Sequence, residues 1–162
     1  MAIQVSPRGV VGRDRLIERI WKRLERESVR FLAERRVGKT SVLKKMAAQP
    51  PAGFHPIYLD LEKIHSADRF VEVLLGELRS LMSATDKAAK RFGDFLTLFG
   101  GTELGGMVKI PELGQRDWQK AVEKTFHAIC ANNPDTLFVL MFDELPYMLQ
   151  SIAIQGHKSW RQ

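Results

Sequence analysis

The sequence predicts an α/β protein layered on a parallel sheet, and three observations lead there. The run TLFVLMF is continuously apolar rather than alternating, as in a strand covered on both faces. Amphipathic stretches with helical spacing alternate with it and with two further short apolar runs. A Gly-Lys-Thr triplet stands where one of those runs gives way to a helix. The 162 residues, 44% apolar and 27% charged, suit one domain over 1–162 with a core of its own.

Residues 10–28 make an N-terminal helix element. From Asp14 to Ser28 the stripe is Leu16, Ile17, Ile20, Trp21 and Leu24, with Arg19, Lys22, Arg23 and Arg26 off it. The core proper spans 29–150. SVRFLA is a short strand, and GKTSVLKKMAAQ a helix ended by Pro50 and Pro51, which cannot continue the hydrogen-bond ladder. HPIYLDLE is a second buried strand, ending near Asp60. A helix follows from Ala67 to Ser83, with Phe70, Val71, Leu74, Leu75, Leu78 and Leu81 on its inner face. Residues 92–113 hold two Gly-Gly pairs around Thr-Glu-Leu and read as a glycine-punctuated β-hairpin inserted between helices. No helix opening with Lys and Ser/Thr comes after that stretch, so it is not a second phosphate cradle. Arg116 to Asn132 is again helical, with Trp118, Val122, Phe126 and Ile129 on one face, and TLFVLMF is the third strand.

Composition excludes several classes. No run approaches the ~18 apolar residues of a membrane span, and the first residues lack the charged-then-apolar order of a secretory signal. The lone Cys130 has no internal disulfide partner and reads as a small buried hydrophobe on its helix. A reduced, cytoplasmic protein is expected. The net charge of +6 comes from residues 1–45, where 13 Lys and Arg face 5 Asp and Glu. That suits phosphate-bearing partners, nucleotide or nucleic acid, although Glu18, Glu25 and Glu27 dilute the patch as a DNA surface.

The chemistry centres on residues 35 to 40. A triphosphate is held by backbone N–H groups of a strand-loop-helix turn and by the positive end of the helix dipole. Arg35, Arg36, Val37, Gly38, Lys39, Thr40 and Ser41 supply that turn. Lys39 would reach the β- and γ-phosphates, the Thr40 hydroxyl would join the Mg2+ shell, and Gly38 would keep a Cβ from intruding on phosphate. Ala33 replaces the first glycine of the general G-x-x-x-x-G-K-[ST] pattern, at roughly 1 kcal/mol if φ is positive there. Gly-Lys-Ser/Thr alone arises by chance in roughly one in ten chains of this length. Support therefore comes from LFVLMFDE, an apolar strand ending in Asp143-Glu144. Asp143 would orient Mg2+ through its water shell, and Glu144 would act as general base on the attacking water. Acids at a strand end also suit the start of a following helix.

Four stretches, VVGRDRLIERIWKRL, FLAERRVGKTSVL, YLDLEK and FVLMFDELPYML, together resemble the ATPase core of archaeal-type AAA proteins, relatives of the STAND ATPases, over nearly all of residues 10–150. The resemblance implies a three-layer α/β/α P-loop NTPase core, with ATP and Mg2+ as cofactors. In that family Ala-x-Arg-Arg-x-Gly-Lys-Thr is a common loop, so Ala33 resembles a tolerated variant, while Glu34 stands where proline is usual. Gly12 and Arg13 match a Gly-Arg-Asp/Glu element, implying contact near the adenine or ribose; a helix start capped by Asp14 fits those residues equally. Asp60 matches a polar strand-end residue that can restrain the catalytic glutamate.

The family's strand order is 5-1-4-3-2, and 18 residues follow Glu144. The fourth and fifth strands, arginine finger and helical lid are thus expected to be missing, leaving the sheet incomplete at the C-terminus. A piece of a longer reading frame is the preferred account, over a deliberately shortened chain or a partner chain, which could be a second copy, completing the sheet. The leading expectation is an Mg2+-dependent ATPase module. The second is a nucleotide-binding switch or remnant without turnover. The third, a small P-loop kinase, is disfavoured by Glu144 beside Asp143, by Gly12-Arg13 and by the lack of a recognisable lid. The residues themselves do not choose adenine over guanine.

Overall fold

The computed structural model describes residues 12–32, 34, 37–81, 102–104, 107–109 and 117–159. These hold helices α1 (Asp14–Leu24), α2 (Lys39–Ala48), α3 (Ala67–Leu81), α4 (Asp117–Asn132) and α5 (Leu145–Ser159), and strands β1 (Phe54–Asp60), β2 (Thr102–Leu104), β3 (Met107–Lys109) and β4 (Leu137–Asp143). The architecture is mixed α/β. By contacts the chain forms two compact units, Met1–Asp60 with Asp135–Asp143, and Leu61–Pro134 with Glu144–Gln162.

The first unit is built on β1 and β4, which pair in parallel from Phe54↔Leu137 to Asp60↔Asp143. The shared register puts Phe54, Tyr58, Val139 and Met141 on one face. There they meet Ile20 and Trp21 of α1 and Val42 and Met46 of α2 in one apolar cluster. Trp21 and Phe54 stack at a tilt, centroids 5.0 Å apart. Side chains of this size contribute about 1.5–3 kcal/mol each when buried, so the cluster clamps both helices to the sheet. On the opposite face Ile57 and Leu59 of β1 are also buried, while Phe138, Leu140 and Phe142 of β4 are half-buried. After α2 the chain reverses through residues 49–53, with Gly53 at φ 81, into β1, and α2 packs on both strands. Lys44, midway along α2, stands over Tyr58 near the carboxyl end of β1. Gln49, just past the end of α2, lines one cavity with Phe54 at the amino end of β1. The N-terminus of α2 therefore lies toward the carboxyl ends of the strands.

In the second unit, Val71, Leu74, Leu75 and Leu78 form the buried stripe of α3, while Thr125 and Ile129 are buried on α4. α3 packs on α4 and on β3. Strands β2 and β3 are antiparallel, in register from Thr102↔Lys109 to Leu104↔Met107, so the hairpin is present at these residues. The rest of 92–113 lies outside the described residues. Met148 anchors α5, and Tyr147 meets the His65 ring edge-on at 6.3 Å.

Four expectations are corrected. Residues 29–32 form no strand: Val29 and Phe31 pack on the apolar cluster while Arg30 and Leu32 are exposed, so the alternation survives without a backbone ladder. Among the described residues they pair with no strand. α1 stops at Leu24 rather than Ser28, because Arg26 and Glu27 both turn back onto the Arg23 carbonyl at 3.0 Å. Asp14 does not cap α1; it is the first helical residue, and its carboxylate is taken by Lys45. Cys130 is exposed, because the buried stripe of α4 runs through Thr125 and Ile129 and the next residue turns outward.

Candidate functional site

The loop enters α2 through Gly38, whose φ of 87 is left-handed. A Cβ built there meets nothing within 4 Å, so conformation rather than crowding demands glycine. The N-cap residue, Gly38, has no side chain with which to cap this end of α2. The first N–H groups of a helix have no intrahelical partner, and they concentrate the positive end of its dipole. Here those groups belong to Lys39, Thr40 and Ser41, all with half-buried side chains. The carbonyl of Gly38 accepts from the Val42 amide at 3.0 Å and starts the helical ladder. Arg35, Arg36 and Ala33 lie outside the described residues. Glu34, in the loop, is exposed.

The Gly12-Arg13 element reaches this loop. Gly12 is left-handed at φ 76, and the Arg13 guanidinium donates to the Val37 carbonyl at 3.3 Å. In a trans peptide the following N–H points away from that carbonyl. Arg13 therefore helps to fix the direction of the Gly38 N–H. One residue on, Asp14 accepts from Lys45 at 2.7 Å. That hydrogen bond first, and the charge of Lys45 second, hold the Asp14 carboxyl below its ordinary pKa. α1 is thus tied to both the entry and the body of α2.

At the carboxyl ends of the strands Asp60 and Asp143 are register neighbours on one face. They differ in surroundings. Asp60 is exposed, whereas Asp143 is 5% exposed and accepts from the Tyr58 hydroxyl at 3.1 Å. Since the α2 N-terminus lies toward this same edge, the first unit gathers a glycine-led helix start and a buried acid at one end of its sheet.

Glu144 begins the second unit and is exposed. Its φ of 56 is left-handed, unusual for a residue with a side chain and costing about 1–2 kcal/mol. Its carbonyl receives the Tyr147 and Met148 amides at 3.0 and 3.2 Å, so it does open α5, as acids at a strand end can. Strained non-glycine residues concentrate at functional sites. Reasoning from sequence missed Tyr58 and the Asp14–Lys45 pair. Only the strand register, which puts positions 58, 60, 141 and 143 on one face, would have pointed to the former.

No protein-family model, no curated protein and no solved structure matches this chain.

Proposed function

We propose that the chain is an ATP-binding module with a three-layer P-loop core, in the manner of archaeal-type AAA proteins. The observation that carries the reading is the pairing of two features at one sheet edge. α2 starts at Gly38-Lys39-Thr40 with a left-handed glycine as its N-cap, and β4 ends at the buried Asp143 on the edge toward which that helix start lies. On this reading the N–H groups at the start of α2 bind the triphosphate, Lys39 neutralises it, and Arg13 orders the loop. The Thr40 hydroxyl and the Asp143 carboxylate are hard oxygen donors that fit Mg2+, which in such sites takes few protein ligands and most of its shell from phosphate and water. Bound there, the cation would offset charge developing on the phosphate oxygens. Glu144 takes the proton of the attacking water. The adjacency of β1 and β4 supports the family's strand order at the 3-2 position.

One observation favours binding without fast turnover. Residues 29–32 are held by Val29 and Phe31 side chains, with no ladder fixing the backbone that leads into the loop. Catalysis needs such groups held to fractions of an ångström, whereas binding tolerates adjustment. Calorimetric titration with ATP tests the reading: wild type binds and Lys39→Ala does not, with unchanged circular dichroism. Equal affinities for the two proteins would remove Lys39 from the site.

A further inference from the structure

Asp143 ends a strand whose preceding residues on the same face, Val139 and Met141, belong to the apolar cluster. A carboxylate in that setting is costly unless donors hold it. Tyr58 supplies one donor. Its register partner is Met141, so its long side chain reaches along the face toward the carboxyl edge, and the hydroxyl meets Asp143 Oδ2 at 3.1 Å. The ring is itself braced: it packs against the cluster, and Lys44 Nζ stands 5.8 Å from its centroid. Phenylalanine would fill the same apolar space, so the hydroxyl answers to the carboxylate and not to the core.

We infer that Tyr58 is a positioning residue of the nucleotide site, pinning one oxygen of Asp143 so that the carboxylate presents a fixed acceptor to the hydrated divalent cation accompanying the triphosphate. The inference rests on the nucleotide reading above. Outer groups that orient a cation-binding carboxylate typically change affinity or activity 10–100-fold when removed. The Tyr58 hydroxyl donates to Asp143, so its effect on the nucleotide passes through that carboxylate.

The test compares wild type with Tyr58→Phe, titrating ATP in EDTA and across a Mg2+ series. In EDTA the two affinities agree within about twofold, while the Mg2+ concentration giving the half-maximal rise in affinity increases about tenfold in the variant. A second readout is made on the wild type, with one tyrosine variant to assign its signals. The chain has two tyrosines, Tyr58 and Tyr147, so ring-labelled tyrosine gives two signals. The one absent from Tyr58→Phe shifts when Mg2+ is added to the ATP-bound protein. Should that variant fail to fold, Tyr147→Phe identifies the signals by elimination and the wild-type shift decides. An unchanged Mg2+ midpoint, an equal loss in EDTA and Mg2+, or an unmoved Tyr58 signal each overturns the role of Tyr58 while leaving ATP binding standing. Wild type that binds no ATP in either buffer overturns the nucleotide reading and this inference with it.

Discussion

Gly38 and Gly53 form a matched pair for separating backbone strain from function. Both are left-handed, at φ 87 and φ 81. A Cβ at Gly38 meets nothing within 4 Å, and at Gly53 only the Asp135 carbonyl at 3.8 Å, an ordinary contact. Neither alanine therefore carries a steric term. The left-handed penalty is about 1–2 kcal/mol, and loss of unfolded-chain freedom returns about 0.4–1 kcal/mol. A net cost of about 1 kcal/mol remains at each site, a Tm fall of about 2–4 °C for a chain of this size. Binding should separate them. Gly53 sits at the amino end of β1, where its carbonyl receives the Leu137 amide at 2.7 Å, whereas Gly38 opens α2, at the turn proposed to hold phosphate. Misaligning one N–H to a charged group costs about 1.5–3 kcal/mol, or about 10–100-fold in affinity. ATP titration and thermal melts of both variants make the assay. Gly38→Ala is expected to lose affinity at least tenfold and Gly53→Ala to stay within about twofold, at similar Tm. Equal affinities in the two variants would refute the reasoning.

Further outcomes follow from the same geometry. Glu144→Gln should keep ATP affinity and lose about 10²–10⁴-fold of whatever hydrolysis the wild type shows, measured by phosphate release; wild-type turnover in the variant would place the base elsewhere. Met46, 1% exposed in the apolar cluster, should cost about 2–5 kcal/mol as Met46→Ala, with a melting point lower by on the order of 10 °C. Asp14 has a folded pKa below its unfolded one, so its tie to Lys45 contributes above the unfolded value and fades as pH falls through the folded one. Asp14→Asn should thus melt slightly below wild type at neutral pH and low salt and coincide with it under acid. The pair is exposed at Asp14, which keeps the difference small.

Local chemistry made much of this legible. The stripe Leu16, Ile17, Ile20, Trp21, Leu24 became the inner face of α1, and the runs ending at Asp60 and Asp143 became β1 and β4, because period and burial are properties of short windows. Gly38 at the head of α2 was legible for the same reason. Pairing was not. Whether Val29 to Leu32 joins a sheet depends on what lies beside it, and an alternating pattern says nothing of a neighbour. Cys130 was misplaced because one position on a helix turns a side chain by about 100°. Tyr58 was invisible because its partner stands 85 residues away, across a register that no local pattern specifies.

The central claim, a triphosphate and its cation seated between the α2 N-terminus and the end of β4, is tested most directly by amide NMR with Mn2+·ATP. Paramagnetic broadening falls steeply with distance, and a seven-residue strand is about 20 Å long. The account predicts that the amides of Gly38, Lys39, Thr40 and Asp143 broaden while those of Gly53 and Leu137, at the other end of the sheet, stay sharp, and that Mg2+·ATP reverses the effect. Broadening centred on Gly53 and Leu137, or none at saturating Mn2+·ATP, would contradict it.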